Sequence, residues 1–141
     1  QEYTWKSWAF SPYLTSQPCK YVELAYNGMF AKTYLSTEYQ NNSYLSQQHK
    51  VSLKLMPFDG FTFDTSADIV KSELTKDVSK TMSLLDMGLS YRKKAMKISF
   101  DIRNILNQRQ YAYTIYNSVN TFTYNYLLRG RECVCTVKLT M

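Results

Sequence analysis

The residues best suited to contact a ligand lie in a tyrosine-rich segment between Arg109 and Tyr126. Aromatic rings stack on sugars and peptides and tyrosine hydroxyls add hydrogen bonds, so this segment is a candidate ligand-contact loop. Its predicted contact residues are Arg109, Tyr111, Tyr113, Tyr116, Phe122 and Tyr124. A second interpretation stays open: the same tyrosines pack on one another past the strand ends, or form the aromatic girdle of a membrane protein.

Residue types used in catalysis occur here without a catalytic pattern. The sequence holds no nucleophile elbow, phosphate-binding loop, dinucleotide fingerprint or zinc-protease motif. Four aspartates fall on the polar sides of alternating segments, where lysine and arginine balance them: Asp64, Asp68, Asp86 and Asp101. His49 stands among glutamine and lysine, and a solvated or lumen-facing position is predicted for it. We therefore predict a protein that is not an enzyme and that has no cofactor.

The cysteines and the net charge exclude further classes. Cys19, Cys133 and Cys135 are an odd number, so they imply no disulfide framework, and with His49 they match none of the usual zinc spacings. The formal net charge is +6, but the basic residues are spread along the chain. Neither a basic helix nor a ribonucleoprotein-type aromatic motif is present, so nucleic acid is not a predicted partner.

Two stretches of the C-terminal third alternate between apolar and polar residues. Between residues 84 and 91, and again between 96 and 103, apolar side chains take every second position. Successive side chains of a strand point to opposite faces, so these stretches predict a hairpin with one apolar and one polar face. A third alternating run, from Glu132 to Met141, closes the chain.

The same periodicity along the rest of the chain gives about seven strands. Short turns are predicted at 15–19, 57–60 and 92–95, and longer or more polar connections at 36–43, 72–81 and 104–125. Short turns on one side and long loops on the other are typical of outer-membrane barrels. The predicted fold class is therefore all-β, an antiparallel up-and-down meander that is part of a transmembrane β-barrel.

The apolar face of these strands needs a cover, and either lipid or a second sheet could supply it. No apolar run approaches the ~20 residues of a membrane helix, whereas a barrel strand needs only about 10 alternating residues. We predict that lipid is the cover. The predicted lipid-facing residues are Leu85, Met87, Leu89, Met96, Ile98, Phe100, Ile102, Val137 and Leu139.

Two C-terminal segments resemble TonB-dependent outer-membrane receptors. The run from Phe100 to Asn107 (FDIRNILN), with Tyr111 close behind, is similar to that family's penultimate strand, which commonly ends in Asn-Leu-Leu-Asn or Asn-Leu-Phe-Asp. The segment from Tyr126 to Glu132, followed by alternation, is similar to the family's last strand. Asn104 and Asn107 are the predicted strand-exit motif, because an Asn that bonds nearby backbone ends a strand ladder.

The resemblance implies that residues 1–141 are the C-terminal strands of a larger barrel, a partial barrel without its plug domain. It implies nutrient uptake across the outer membrane of a Gram-negative bacterium. The implied partners are the remainder of the barrel and its plug, the TonB complex acting through the plug, a surface lipoprotein, and lipid or lipopolysaccharide. Two features depart from the family: the chain ends in Thr140-Met141 instead of an aromatic residue, and no plug sequence is present.

Two other architectures stay open at the level of sequence. A soluble antiparallel β-sandwich with a binding or adhesin-like role would bury the same apolar faces against each other. A small complete eight-stranded outer-membrane barrel would need one more strand, for which 111–117 is the candidate. Because the first residues show no signal-peptide pattern, we expect that a signal was removed or that the start of a longer protein is missing.

Overall fold

Every regular element in the described residues is a β-strand. The computed structural model describes residues 3–37, 41–75, 78–116 and 121–140. The strands are β1 (Tyr3–Phe10), β2 (Tyr13–Cys19), β3 (Val22–Thr37), β4 (Asn41–Leu55), β5 (Phe61–Thr75), β6 (Val78–Lys93), β7 (Met96–Arg103), β8 (Gln110–Tyr116), β9 (Thr121–Leu127) and β10 (Glu132–Leu139). The predicted all-β class is confirmed.

Eight of these strands form one antiparallel sheet with up-and-down order. The order is β1-β3-β4-β5-β6-β7-β10, and β2 also pairs with β3. β1 pairs with the second half of β3 and β2 with the first half, so both lie along the same edge. Between them Pro12 accepts a hydrogen bond from the backbone N–H of Gly28 at 2.9 Å. The eight strands therefore occupy seven positions, which agrees with the predicted meander.

The pairing register sorts side chains onto two faces. Leu55, Phe63, Leu89, Phe100 and Cys135 lie side by side across β4, β5, β6, β7 and β10. Directly opposite residues share a face, and the next residue along each strand points the other way. The neighbouring row is Lys54, Asp64, Gly88, Asp101 and Val134. We call the side of the first row the apolar face and the side of the second row the polar face.

The short turn predicted at residues 15–19 is wrong. Ser16 pairs with Leu24 and Cys19 with Val22, so residues 13–19 form β2 and the chain turns at Lys20 and Tyr21. Two other predicted turns are confirmed, since residues 58–60 and 94–95 separate paired strands. The strand was missed because Pro18 was taken as a turn residue, although proline is tolerated on an edge strand.

Two predicted connections are largely strand. Asn42 pairs with Leu35, so residues 41–43 of the connection predicted at 36–43 belong to β4. Pairing of β5 with β6 runs through Ser72 to Thr75, where a loop at 72–81 was predicted. Polar composition misled the prediction here, because strand pairing continues beyond the point where apolar alternation stops. Residues 38–40 and 76–77, which complete these connections, lie outside the described residues.

The predicted connection at 104–125 contains most of a second hairpin. β8 pairs with β9 in a separate two-stranded sheet, with Tyr111 opposite Tyr126. The last strand, β10, begins at Glu132, the first residue of the third alternating run. The spare strand expected at 111–117 exists as β8, but within the described residues it pairs with β9 and not with the large sheet.

Very little of the described chain is buried. The buried apolar residues are Val70, Met82 and Ala112. Val70 and Met82 are cross-strand partners on the polar face, and β8, which carries Ala112, approaches β5 and β6. The few buried apolar residues of the described chain therefore lie where the hairpin approaches the polar face. Within the described residues no second sheet covers the apolar face.

Candidate functional site

All of the predicted lipid-facing residues lie on the apolar face. Cross-strand rows set Met87 beside Ile102 and Leu89 beside Phe100, and β10 continues the rows with Val137 beside Ile98. Leu85 is two residues from Met87 on β6 and so points to the same face, and Met96 is opposite Leu139. Large side chains in this set remain exposed: Phe100 is 39% exposed and Leu139 is 68% exposed. Contact with lipid remains a prediction.

The apolar rows extend a limited distance along the strands. On β5 they run from Phe61 to Ile69, which is about 26 Å at 3.3 Å per residue. The next row places Lys71 beside Gln47, so polar residues begin there. The apolar face is thus a band that ends, on the side away from the turns at 58–60 and 94–95, at a margin that we call the upper margin.

Aromatic residues and one histidine mark that margin. His49 is opposite Gly28 and Ile69, which puts it on the apolar face and not in the solvated or lumen-facing position predicted for it. Its Nδ1 lies 2.9 Å from the hydroxyl of Tyr26, and the ring of Phe30 meets its ring edge-on at 5.1 Å. Parity with Val51 along β4 was the sequence signal that could have placed it.

Gly28 leaves room for the Tyr26–His49 pair. A Cβ at residue 28 would lie 2.6 Å from the Tyr26 hydroxyl and 3.0 Å from the ring of Pro12. Because Gly28 has no side chain, the phenol of Tyr26 can extend over it and reach the imidazole of His49. This arrangement partners both polar groups at the edge of an otherwise apolar surface.

The polar face carries charges of both signs, as predicted for Asp64, Asp68, Asp86 and Asp101. Lys54 forms an ion pair with Glu23 at 3.5 Å, and the Gln48 side-chain amide donates to Asp68 at 3.3 Å. An open depression of about 500 Å³ is lined in part by Glu23, Lys54 and Asp64. Within the described residues no group of three potential metal ligands converges.

Asn104 is the centre of the most highly connected polar cluster. It is buried, and its positive φ of 52° ends the ladder of β7. Its amide Nδ2 donates to the carbonyls of Gln108 at 2.7 Å and Arg129 at 2.8 Å, while its Oδ1 accepts from the Gln108 N–H at 2.8 Å. Its own N–H donates to the Asp86 carboxylate at 2.7 Å. The cluster ties β6, the end of β7 and the approach to β10 together.

Asn107 completes the exit motif. It also has a positive φ, 53°, a conformation that asparagine tolerates better than most residues. Its N–H donates to the Asn104 carbonyl at 2.8 Å, and its Oδ1 accepts from the Arg131 N–H at 3.1 Å. Arg131 in turn donates through Nε to the Ile105 carbonyl at 2.9 Å. The two asparagines therefore do end the strand, with long-range partners in addition to local ones.

The hairpin of β8 and β9 gathers part of the predicted ligand-contact loop. Tyr111 and Tyr126 have ring centroids 6.2 Å apart, and Tyr124 stacks on Tyr126 at 6.4 Å. Phe122 is two residues from Tyr124 on β9, so both lie on one side of the hairpin. Arg109 is exposed just before β8. The side chains of Tyr113 and Tyr116 lie outside the described residues, although their backbones belong to β8.

The phenol of Tyr111 is partly buried and lies close enough to the polar face for the charge of Asp68 to act on it. Burial raises the pKa of its phenol above 10.0, and the charges of Asp68 and of Tyr126 raise the pKa further. The hydroxyl is therefore held in its neutral, hydrogen-bonding form over the ordinary pH range. β8 belongs to the separate two-stranded sheet and is not one of the strands proposed below to cross a membrane.

Sequence reasoning missed the partners of the asparagine cluster. Asp86 and Arg129 lie 18 and 25 residues from Asn104, so no local pattern connects them.

In the described part of the chain no helix is long and apolar enough to cross a membrane. Comparison of the chain with protein-family models, with curated proteins and with solved structures returned no match.

Proposed function

We propose that this chain forms the wall and external loops of a TonB-dependent outer-membrane transporter for nutrient uptake, located in the outer membrane of a Gram-negative bacterium. The observation that carries the proposal is the apolar face: large side chains such as Leu89 and Phe100 are about 40% exposed, and nothing described covers them. A single-layer sheet with one apolar face needs a cover that is itself apolar. Hydrocarbon supplies one.

The height of the apolar rows is compatible with lipid as that cover. Outer-membrane barrels carry an outward apolar band about 25 Å tall, flanked by aromatic residues. The apolar rows on β5 run for about 26 Å along the strand, somewhat less along the membrane normal, and end near Tyr26 and Phe30. A soluble sandwich would instead place a second sheet on this face, and the described residues hold none there.

The proposal requires further strands. The large sheet has two outer edges, one formed by β1 and β2 and the other by β10. Exposed edges are aggregation sites unless they are paired, and a barrel pairs them by closing. In this proposal the remainder of the barrel joins both edges, with the plug domain against the polar face. The TonB complex acts through the plug, and a surface lipoprotein is a further partner.

The β8–β9 hairpin is proposed to contact the nutrient. It lies against the polar face, which would line the lumen, and it presents Tyr124 and Phe122 as exposed aromatic side chains. Stacking on such rings suits sugars and peptides. No residue in this proposal has a catalytic role.

The two tryptophans give a direct test of the lipid-covered face. Trp8 is opposite Lys32 on the apolar face, and Trp5, three residues earlier, is on the polar face. Single-tryptophan chains, made with Trp5→Phe or Trp8→Phe, are folded into vesicles whose acyl chains carry bromine near the head groups. We expect stronger fluorescence quenching of Trp8 than of Trp5. Equal quenching, or a chain that stays in the aqueous phase, would rule the proposal out.

A further inference from the structure

Three lysines lie on the apolar face just beyond its apolar rows. Lys6 of β1 is opposite Tyr34, and Lys32 of β3 is opposite Trp8. Lys71 of β5 is one row past Ile69, the last apolar residue of that strand on this face. We call these three residues the lysine patch. All of them lie at the upper margin of the band and on the side that the proposed function exposes to lipid.

Charge is distributed unequally between the two faces. The acidic residues described on the polar face are Glu23, Asp64, Asp68, Asp86, Asp101 and Glu132. On the apolar face the described strands carry a single acid, Glu73, whose carboxylate accepts a hydrogen bond from the Leu45 N–H at 2.8 Å. The two ion pairs of the described residues, Lys54–Glu23 and Arg129–Glu132, do not involve Lys6, Lys32 or Lys71. Glu73 lies two residues from Lys71 on the same face, so three lysines and one carboxylate give the upper margin a net positive charge.

The surroundings of the patch suit the boundary between hydrocarbon and head groups. The Lys32 ammonium lies 4.9 Å from the ring centroid of Tyr34, and Trp8 beside it is 50% exposed. Tryptophan and tyrosine accumulate at this boundary, where lysine places its stem along apolar surface and its charge in the head-group layer.

The spacing of the patch suits a ligand larger than one ion. Lys6 and Lys32 are diagonal neighbours on adjacent strands, with Cα atoms roughly 7 Å apart. Two strand spacings separate Lys32 from Lys71, so their Cα atoms are on the order of 12 Å apart. Separations of this size match a lipid head group better than a single small ion.

We infer that the lysine patch binds the phosphate-bearing head group of an anionic membrane lipid. This inference rests on the proposed function, because it needs the apolar rows beneath the patch to be immersed in acyl chains. Negative phosphates complement the three ammonium groups, and each lysine near an anionic membrane surface strengthens attachment. The lipid would thereby fix the depth of the strands that carry the patch.

The test compares two triple variants with the same change in net charge. One variant carries Lys6→Gln, Lys32→Gln and Lys71→Gln. The matched control carries Lys50→Gln, Lys97→Gln and Lys138→Gln, all on the polar face. The full chain is titrated with vesicles of phosphatidylcholine alone and of phosphatidylcholine mixed with phosphatidylglycerol. The quantity measured is the lipid concentration at which half of the chain is bound.

We expect the wild type and the control to prefer the mixed vesicles by about tenfold or more, and the patch variant to lose most of that preference. Equal losses in both variants would show general electrostatic attraction instead of a site, and an unchanged patch variant would also overturn the inference. A triple Lys→Arg patch variant keeps the charge and should keep the preference, which controls for misfolding. Inorganic phosphate without vesicles should not protect the patch lysines from amine-reactive labelling.

Failure of the proposed function has a different signature. In that case the wild type binds neither kind of vesicle, and the inference falls with it. If the wild type inserts equally well into both kinds, the wall assignment stands and only the head-group site is lost.

Discussion

The side-chain amide of Asn104 donates to the backbone carbonyl of Arg129 at 2.8 Å, across 25 residues of chain. This bond joins the end of β7 to the segment that leads from β9 into β10. Because the same amide also holds Gln108, the hairpin of β8 and β9 leaves the large sheet from a fixed base. The direction of that hairpin over the polar face therefore depends on one buried side chain.

Replacing Asn104 by alanine should lower the free energy of unfolding by about 2 kcal/mol. The change leaves buried backbone groups without partners and puts alanine at a positive φ. Asn104→Asp should cost at least as much, because a carboxylate cannot donate to the Gln108 and Arg129 carbonyls. Urea titration of the vesicle-bound chain measures both values. Leu106→Ala, at a side chain 53% exposed in the same turn, is the control and should stay within about 0.5 kcal/mol of wild type.

Gly60 should tolerate no side chain. Its φ is +82°, and a Cβ there would lie 2.1 Å from the backbone carbonyl oxygen of Arg92. Its own carbonyl accepts from the Arg92 N–H at 2.7 Å, so the turn cannot move away without losing that bond. We expect Gly60→Ala to cost about 2 kcal/mol or more in the same urea titration. Asp59→Ala, at an exposed neighbour, should have little effect; equal losses in both variants would contradict the close approach.

Tyr111 should make docking of the hairpin sensitive to alkaline pH. Its pKa is raised in the folded protein by burial, by Asp68 and by Tyr126, so its stabilising contribution is complete below the ordinary tyrosine pKa of 10.0. The contribution is lost as the pH rises through the folded-state pKa. Hydrogen exchange of the β8 amides, measured as a function of pH, should show this loss beyond the intrinsic rise in rate.

The matched variants for that measurement are Tyr111→Phe and Tyr13→Phe. The first removes the ionisable group and should abolish the alkaline loss of protection in β8. The second changes a ring 70% exposed on β2 and should leave the profile unchanged. A wild-type profile that matches Tyr111→Phe would show that the hydroxyl does not contribute to docking.

The parts of the fold that followed from sequence were those in which apolar alternation coincides with pairing. The rows through Leu89 and Phe100 were predicted because each strand alternates without error there. The distal halves of β4 and β5 were missed, since Gln47 and Lys71 continue a pairing that no apolar pattern reports. Pro18 was taken as a turn residue, and the edge strand β2 was therefore missed. Proline is tolerated on an edge strand because its missing N–H can lie on the side that has no partner strand.

The candidate site was only partly predictable for a related reason. The exit motif was found because Asn104 and Asn107 carry a local signal, a tendency to bond nearby backbone and to adopt positive φ. Asp86 and Arg129, the partners of Asn104, are distant in sequence and come close to it only because the strands pair in the observed register. His49 was misplaced because its sequence neighbours are polar, whereas its face is set by counting residues from Val51.

The most direct test of the lipid cover uses two adjacent residues that point to opposite faces of β7. Ile98 is 38% exposed on the apolar face, and Ser99 is its neighbour on the polar face. We expect Ile98→Lys to lower the free energy of unfolding in vesicles by ~2–4 kcal/mol, and Ser99→Lys to lower it by much less. If the two variants are equally stable, or if Ile98→Lys folds in lipid as well as wild type, hydrocarbon does not cover the apolar face.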